Sequence, residues 1–235
     1  IEASGYRRIF FIDDNIASNA DRFVEMCRQL EPLKLTWGSQ CNVDAVTDER
    51  VLKAAADSGC YSLFLGVESV NPDVLKTVKK GFNKVEHYAE AFAKMRKYDI
   101  MPMVSMIVGL DGDGPEVFRR DLEFLIENDI PVAYVFILAP APGTEFFDRW
   151  QKEDRLTSFD WTKYSGEHVV FRPSGMTPEQ LRDGLMWMYR RFYSGGCIFR
   201  RFLKYPPITW NRLVALKYNI LHRRSVRKGL HPLRG

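Results

Sequence analysis

The sequence has few of the residues that form metal centres, and those residues are scattered. It contains four cysteines, at Cys27, Cys41, Cys60 and Cys197. None of them has the close spacing that lets one loop supply several metal ligands, so buried reduced thiols are predicted. It also contains four histidines, at His87, His168, His222 and His231. Their spacing fits neither a zinc site nor a nucleophilic triad, which predicts surface or packing roles and no catalysis.

Two further absences exclude other classes of protein. No segment is apolar and uncharged for long enough to cross a bilayer, and residues 1–14 lack the features of a signal peptide. A cytoplasmic protein is therefore expected. No lysine ends an apolar run and no glycine-rich phosphate loop is present, which disfavours an aldolase-type barrel with a Schiff base or a phosphate site.

Acidic residues are absent from the last part of the chain. Residues 185–235 contain 12 Lys or Arg and no Asp or Glu, which leaves 22 basic and 30 acidic residues before them. Within this basic tail, Trp210, Leu213 and Leu221 alternate with Lys and Arg, a pattern typical of a surface helix. Two interpretations stay open. In the first, the tail docks on an anionic membrane or, as a less favoured partner, on nucleic acid. In the second, the tail is solvated or packed on the core.

The chain does have five apolar runs that each end in glycine, carboxylate or other polar residues. They are FFIDDN (10–15), LTWGSQC (35–41), SLFLGVES (62–69), MPMVSMIVGLDGD (101–113) and VAYVFILAPAPGT (132–144). Each run is typical of a buried strand with polar residues at its carboxyl end. Helical spacing of apolar residues separates the runs, so the fold class is α/β with a parallel sheet. Functional residues are expected along the carboxyl edge of that sheet.

Helices are predicted from apolar spacing and from cap residues. The spacing predicts helices within 17–30, 72–78, 85–98 and 115–128. Thr47 is predicted to cap a helix that ends near Ser58. From about Trp150 the repeat gives way to an aromatic, turn-rich stretch and then to a helix that begins at Thr177. Pro206 and the proline after it interrupt any helix near the end of the chain.

Three groups of residues at strand ends have more than one interpretation. Asp13 and Asp14 face a cation or a backbone donor, or they form a turn in which Asp14 or Asn15 caps the next helix. Glu68 is either a carboxylate on the rim or the buried member of an ion pair. The GLDGDG loop at residues 109–114 brings backbone amides close to a ligand or forms an ordinary turn, and it has too few oxygen ligands for calcium.

Taken in order, the five runs resemble the radical S-adenosylmethionine (SAM) enzymes, in particular their cobalamin-dependent group with a C-terminal extension. FFIDDN resembles the second barrel strand of that group, WGSQCNVDAVTDERVLKAAADSGC the third strand and its helix, and LFLGVES the fourth strand. VSMIVGLDGDGPEVF resembles the fifth strand and ILAPAPGTEFFDRW the sixth. The segments DWTKYSGEHVVFRPSGMTPEQL and RRFYSGGCIFRRF resemble the extension of one subgroup.

The resemblance implies an architecture and a set of site residues. Residues 1–150 would form a partial (β/α)6 TIM-like barrel with parallel strands 2 to 6, instead of an open doubly wound sheet, and residues 151–235 a mainly helical extension with the basic tail. The implied SAM contacts are Asp13, Asp14, Gln40, Glu68, Ser69, Gly109 and Asp111. The implied lining of the adenine or substrate pocket is Leu138, Pro140, Pro142 and Gly143. Catalytic residues are not assigned.

The resemblance also implies an activity. A reduced [4Fe-4S] cluster would cleave SAM to a 5′-deoxyadenosyl radical for methylation or rearrangement of a small molecule of lipid or tetrapyrrole type. Cobalamin is an open third cofactor, and a ferredoxin or flavodoxin would supply electrons. The CxxxCxxC loop that binds the cluster and the cobalamin-binding domain are both absent from this sequence. We expect both to lie upstream, so that this chain provides no cluster ligands and is inactive alone. The alternative function is a noncatalytic α/β binding protein that docks through its basic tail.

Overall fold

The computed structural model describes residues 5–77, 85–204 and 208–234. Within these residues five strands are present: β1 (Arg8–Phe10), β2 (Thr36–Cys41), β3 (Cys60–Glu68), β4 (Met101–Val108) and β5 (Val132–Ile137). The same residues form the helices α1 (Ala20–Leu30), α2 (Glu49–Asp57), α3 (Pro72–Thr77), α4 (Val85–Lys97), α5 (Val117–Glu127), α6 (Glu145–Lys152), α7 (Pro178–Phe192), α8 (Gly195–Leu203) and α9 (Trp210–Arg227).

The strands form one parallel sheet in the order β1-β2-β3-β4-β5. At least one helix lies between each pair of successive strands, because parallel neighbours need a long crossover connection. The sheet curves into a half-barrel with helices around it. The predicted α/β class and the partial barrel with a helical extension are therefore confirmed.

The start of the sheet differs from the sequence prediction. β1 ends at Phe10, so most of the FFIDDN run is a loop, and Asp13 and Asp14 follow the strand instead of ending it. α1 begins only at Ala20, since the side chain of Asn19 accepts a hydrogen bond from the amide of Arg22. The prediction that Asp14 or Asn15 caps this helix is therefore wrong.

The predicted cap at Thr47 is also wrong. Asp48 caps α2, and its carboxylate accepts a hydrogen bond of 2.8 Å from the amide of Arg50. The Thr47 hydroxyl instead donates to the carbonyl of Asp44 within a short 3-10 turn. Adjacent Thr and Asp are both good caps, so the sequence does not decide between them.

Helices α4 and α5 end in the same way at the amino edge of the sheet. Asp99 and Asp129 have positive φ angles of 53° and 51°, a conformation that aspartate tolerates better than most residues. The amides of Ile100 and Ile130 each donate to a carbonyl five residues earlier, which terminates the helix. Both isoleucines are buried, and the next strand begins within two residues of each. Asp99 and Asp129 therefore occupy equivalent positions before β4 and β5.

The extension pairs with the outer edge of β5 through two tyrosines of α7. The Tyr193 hydroxyl accepts a hydrogen bond of 3.2 Å from the amide of Ala133 and donates one of 2.7 Å to its carbonyl. The Tyr189 hydroxyl does the same with Val135, at 2.6 and 2.7 Å. Two phenol groups spaced by one helical turn thus replace the neighbouring strand that this edge lacks.

His222 of α9 is buried against the first of these tyrosines. Tyr193 uses its one hydroxyl proton on Ala133, so Nδ1 of His222 donates to the tyrosine oxygen at 3.2 Å. Nε2 of His222 then accepts from the hydroxyl of Tyr134 at 3.2 Å. Burial lowers the pKa of His222 to about 4, so the ring is neutral.

His231 has the opposite tautomer. Its Nδ1 accepts a hydrogen bond from the amide of Leu233, which leaves the proton on Nε2, facing the hydroxyl of Tyr189 at 2.9 Å and the carbonyl of Val135 at 3.3 Å. Burial lowers the pKa of this histidine as well. Both histidines therefore have the packing role that the sequence predicts.

Three sequence predictions are not tested by the fold. The boundary at residue 150 falls inside α6, and the division of the chain into two domains stays a prediction. The helix end at Val78 and the break at Pro206-Pro207 lie outside the described residues, as do residues 1–4. By contrast, the predicted start of α7 is confirmed, because Thr177 and Gln180 form a reciprocal capping box there.

Candidate functional site

The sheet has two faces that differ in their partners. Leu63, Leu65 and Val67 of β3 pack into the main hydrophobic cluster with the surrounding helices. The alternate residues Phe64 and Gly66 face the concave side of the half-barrel. The same alternation in the other strands defines one concave face for the whole sheet.

Helix α9 covers the lower half of the concave face, near the amino ends of the strands. Its Ala215 is buried in a second apolar cluster with Met101, Met103, Val132 and Tyr134. One face of the basic tail is therefore packed on the core, which was one of the two interpretations of its sequence. The upper half of the concave face, at the carboxyl ends of the strands, is only partly covered. We call its residues the concave rim: Gln40, Gly66, Glu68, Ser105 and Leu138.

The middle of the concave rim is made of small residues. Gly66 on β3 and Ser105 on β4 are paired in register, and Ser105 also pairs with Tyr134 on β5. Ser105 is half-buried, and its hydroxyl lies above the apolar cluster that α9 covers. Sequence reasoning missed it, although a lone hydroxyl within an apolar strand, on the same side as Met103, is a usable signal.

Glu68 has a strained backbone at the end of β3. Its φ is 64°, and the amide of Ser69 donates to the carbonyl of Val67 at 2.8 Å, the hydrogen bond of a three-residue γ-turn. Among the described residues, the other positive-φ positions that are not glycine follow helical segments: Lys34, Asp99, Asp129 and Asp154. Strain of this kind costs on the order of 1–3 kcal/mol and is concentrated at functional sites.

The Glu68 carboxylate lies back over Gly66. A Cβ atom on residue 66 would be 2.8 Å from Oε1 of Glu68, closer than such atoms approach. A side chain at 66 would therefore make the end of the flexible Glu68 side chain shift, and glycine leaves space for the carboxylate in this position. The turn and the glycine together fix an acceptor on the concave rim.

The loop after β1 is anchored to β2 but leaves its carboxylates exposed. The amide of Ile16 donates to the carbonyl of Gln40 at 3.1 Å, and the Asn15 side chain accepts from the amide of Asn42 at 3.3 Å. Asp13 and Asp14 are both exposed on this loop. The half-buried Gln40 is paired with Phe64, four residues before Glu68, or roughly 13 Å along the strand.

Ser69 is buried and has a local partner. Its hydroxyl accepts a hydrogen bond of 3.1 Å from the amide of Asn71, and the Asn71 side chain accepts one of 3.0 Å from the amide of Asp73 at the start of α3. With only 1% of its surface exposed, Ser69 shapes the loop after Glu68.

The carboxylate of Asp113 organises the loop after β4. Its carboxylate accepts hydrogen bonds of 3.1 Å from the amides of Gly109 and Leu110. Burial raises the pKa of Asp113, against the effect of these bonds and of Arg120. A Cβ on Gly109 would be 2.8 Å from the side chain of Leu181, so this glycine permits close packing of α7 on the loop. The structure thus turns Gly109 toward the extension.

Asp111 is paired with two arginines of the extension and α6. Its carboxylate is 2.8 Å from Arg155 and 3.2 Å from Arg149. Burial raises the pKa of the Asp111 carboxyl, but the hydrogen bond and charge of Arg155 outweigh this effect, so the pKa lies below its usual value. The partners are 38 and 44 residues away in sequence, which is why sequence reasoning did not find them.

The residues after β5 are divided between the core and the surface. Leu138 is half-buried, and its amide continues the sheet by donating to Val108 at 3.0 Å. Pro140 is buried, whereas Pro142 and Gly143 are exposed, and Gly143 has a φ of 82° in the turn before α6. Of these four, Leu138 belongs to the concave rim, and Pro140 follows it two residues later in the chain.

The four cysteines do not fit an iron–sulfur cluster. All are free thiols; Cys27, Cys41 and Cys60 are buried, and Cys197 is half-buried in α8. Burial raises the pKa of Cys27 to about 11 and that of Cys41 to about 12, so neither is a thiolate at neutral pH. No group of three or more metal-binding side chains is present among the described residues. Any cluster ligands must come from outside these residues.

The comparisons with known proteins identify the family. The pattern of the radical SAM superfamily matches residues 1–125, which is more than half of the chain. This chain belongs to the radical SAM superfamily, whose members use SAM and a [4Fe-4S] cluster. The resemblance drawn from the five strand motifs is therefore confirmed, and a noncatalytic binding protein gains no support.

Two curated relatives are enzymes of tetrapyrrole chemistry by name. Bacteriochlorophyllide d C-12(1)-methyltransferase of Chlorobaculum tepidum is 31% identical over 221 residues, covering 94% of this chain and 47% of that protein. Anaerobic magnesium-protoporphyrin IX monomethyl ester cyclase of Cereibacter sphaeroides is 29% identical over 197 residues, covering 81% of this chain and 32% of that protein. The chain thus spans less than half the length of these relatives.

A solved structure supports the fold. The radical SAM methyltransferase TsrM of Kitasatospora setae, with cobalamin and a [4Fe-4S] cluster bound, superposes with a TM-score of 0.59 at 18% identity. The likeness covers 65% of this chain and 30% of that one. At this identity the likeness establishes the half-barrel fold.

Proposed function

We propose that this chain supplies part of the SAM site of a radical SAM enzyme, and that the whole protein methylates or rearranges a small molecule of the tetrapyrrole class. The observation that carries the proposal is the Glu68 turn, in which a strained backbone and Gly66 fix a carboxylate on the concave rim. α/β barrels place their chemistry at this end of the sheet.

The residues of the concave rim and of the loops beside it have distinct roles in this proposal. Glu68 accepts hydrogen bonds from the ammonium group of SAM, and the exposed Asp13 and Asp14 supply further negative charge from the neighbouring loop. Gln40 offers an amide group at the opposite end of the ligand. Ser69, which is committed to its own loop, acts by positioning Glu68.

Gly109 and Asp111 shape the pocket without entering it. Their partners in the structure are the extension and its arginines, so they fix the adjoining loop. When bound, SAM and a reduced cluster supply the radical chemistry, and the chain contributes orientation and exclusion of water.

The proposed substrate is supported by the relatives and by the shape of the concave rim. Both tetrapyrrole enzymes named above share most of this chain. The small residue Ser105 leaves space in the middle of the concave face beside the Glu68 carboxylate, and the half-buried Leu138 provides an apolar border for a flat macrocycle. Titration with magnesium protoporphyrin IX tests this substrate class. Binding to the wild type should shift the Soret band of the porphyrin, and Ser105→Phe, which fills the concave rim, should abolish the shift. No shift with the wild type, or the same shift with the variant, would contradict this substrate class.

Isothermal titration of the chain with SAM tests the proposed site. Loss of a charged hydrogen bond costs about 1.5–3 kcal/mol, so Glu68→Gln should weaken SAM binding by about 10- to 100-fold. Gly66→Ala should weaken binding by less than Glu68→Gln, because its methyl group makes the flexible carboxylate shift without removing it. Glu123→Gln, an exposed change on α5, is the matched control and should bind like the wild type. Absent binding, or equal affinity in all four proteins, would contradict the site.

The cluster, cobalamin and the reductant belong to the whole protein. We propose that upstream sequence supplies a CxxxCxxC loop, that cobalamin acts as a third cofactor as in TsrM, and that a ferredoxin or flavodoxin donates the electron. Anaerobic expression of the longer reading frame should give about four irons per chain and a cobalamin absorbance spectrum. A reading frame that starts at Ile1 and binds no iron would contradict this part of the proposal.

We also propose that the enzyme contacts the cytoplasmic surface of a membrane through α9. No helix of the described residues is long and apolar enough to span a bilayer. The outer face of α9 is exposed and mixes apolar with basic residues: Trp210, Leu213, Lys217, Ile220, Leu221 and Arg224. Such a face binds anionic lipid.

Vesicle sedimentation tests the membrane contact. Binding to phosphatidylcholine vesicles should require added phosphatidylserine, weaken with salt and fall in the double variant Lys217→Gln, Arg224→Gln. The matched double variant Lys163→Gln, Arg172→Gln, outside the tail, should bind normally. Equal binding by both variants, or binding to RNA instead of vesicles, would overturn this contact.

A further inference from the structure

A cavity of about 670 Å³ lies at the amino ends of β4 and β5, at the opposite end of the sheet from the concave rim. Ile100, Met101 and Pro131 form apolar parts of its lining. Ala93, on α4, is exposed at its edge, so the cavity is accessible from solvent. Its volume is within the range of sites that bind small organic molecules.

The cavity is lined by a buried arginine without a carboxylate partner. Arg201 of α8 is 8% exposed, and its terminal nitrogens donate to the carbonyl of Phe192 at 2.9 Å, to Cys197 Sγ at 3.0 Å and to the Asn219 side chain at 2.6 Å. Its Nε has no hydrogen-bond partner. Within the described residues no carboxylate lies within 4 Å of this guanidinium.

The acidic residues of the cavity already have partners. The Asp129 carboxylate is paired with Lys204, and the Asp99 carboxylate accepts hydrogen bonds from Thr209 at 2.8 Å and from Asn211 at 3.3 Å. The lining contains four basic residues, namely Arg96, Lys97, Arg201 and Arg212, against these two acidic ones. The cavity therefore has an excess of positive charge.

We propose that this cavity binds a small organic anion, a carboxylate or phosphate carried on an apolar body, with Arg201 as the principal contact. A buried cation without a counter-charge is costly, and an anionic ligand in the adjoining cavity would offset that cost. A guanidinium is suited to this task, because its planar fork matches the oxygens of carboxylate and phosphate. The apolar lining would contact the rest of the ligand.

A purely structural role for Arg201 is the competing explanation. One of its hydrogen bonds goes to the carbonyl of Phe192, the last residue of α7, where a positive charge stabilises the helix end. That role accounts for the terminal nitrogens but not for the adjoining cavity and the basic residues that line it. It also predicts no ligand binding.

Calorimetric titration of the chain with octyl phosphate and with octanoate tests the proposal, and octyl glucoside is the neutral control. We expect both anions, or one of them, to bind and the glucoside not to bind; the two anion arms distinguish phosphate from carboxylate. Arg201→Met should weaken the anion by about tenfold or more. Arg200→Met, an exposed change next to it on α8, should not.

A second variant keeps the test valid if Arg201→Met unfolds. Ala93→Trp narrows the mouth of the cavity from α4 without replacing a charged group, and it should weaken the anion while SAM binding at the concave rim is unchanged. Absence of anion binding by the wild type would overturn the proposal. Equal affinity of the wild type and Ala93→Trp, or of Arg201→Met and Arg200→Met, would do so as well.

Discussion

Replacing Tyr193 by Phe removes one oxygen atom from the contact between α7 and β5. The aromatic ring stays, but three groups lose their hydrogen-bond partner in a region where Tyr193 is only 1% exposed: the amide and the carbonyl of Ala133, and Nδ1 of His222. A buried polar group left without a partner costs about 1–3 kcal/mol. For the three groups together, the free energy of unfolding should fall by roughly 3–9 kcal/mol.

Tyr189→Phe should cost less, although the two tyrosines make equivalent bonds to the strand. The carbonyl of Val135 keeps a donor, since Nε2 of His231 lies 3.3 Å from it. Only the amide is then left without a partner, so a loss of roughly 1–3 kcal/mol is expected. The order of the two variants therefore tests the hydrogen-bond pattern and not merely the presence of a tyrosine.

Urea unfolding under reducing conditions at neutral pH measures both losses. Tyr98→Phe is the control, because its hydroxyl bonds to Glu49 at the surface and its removal should change stability by less than about 0.5 kcal/mol. Amide exchange adds a local readout: the Ala133 amide should exchange faster in Tyr193→Phe. If Tyr193→Phe is as stable as Tyr98→Phe, the phenol groups do not replace a strand.

Three further predictions concern pH and packing. The folded pKa of His222, about 4, is below its unfolded value of 6.5, so the unfolded chain binds more protons between these pH values. The free energy of unfolding, measured with urea, should therefore fall by up to about 3 kcal/mol as the pH drops through this window. The fall should be smaller in His222→Gln. The folded pKa of Asp121, about 7, is above the usual 3.8 because the carboxyl is buried, so stability falls as pH rises between these values. Asp121→Asn should therefore stabilise by up to about 4 kcal/mol near pH 8 and by less near pH 5, and an equal gain at both pH values would refute this. Gly109→Ala should lower the thermal midpoint of unfolding more than Gly112→Ala. Both glycines have a positive φ, but the new methyl group at 109 would lie 2.8 Å from the Leu181 side chain, whereas the one at 112 would lie 3.4 Å from Val74.

The strands, most of the helices and the parallel sheet were predictable from local signals in the sequence: the apolar runs, their polar ends and the helical spacing between them. The order of the strands in a partial barrel came from the family resemblance, and a site at their carboxyl ends stays a prediction. The capping box at Thr177 is likewise local and was predicted, whereas Thr47 failed because its neighbour Asp48 is an equally good cap. Local signals thus give the elements and leave their ends uncertain by a residue or more.

The contacts that define the candidate site were not predictable in the same way. The pairing of Asp111 with Arg155 joins residues 44 positions apart, and the packing of α9 beneath the concave face depends on the whole sheet. The positive φ of Glu68 has no sequence signal of its own, because glutamate rarely adopts it. Tertiary packing determines all three.

The phenol contacts along β5 also affect how this protein can be shortened. A fragment that stops before α7 would expose the amides and carbonyls of Ala133 and Val135 on an apolar strand. Such an edge is a template for pairing with another chain, so the fragment should self-associate. The extension therefore protects this edge of the half-barrel from pairing with another chain.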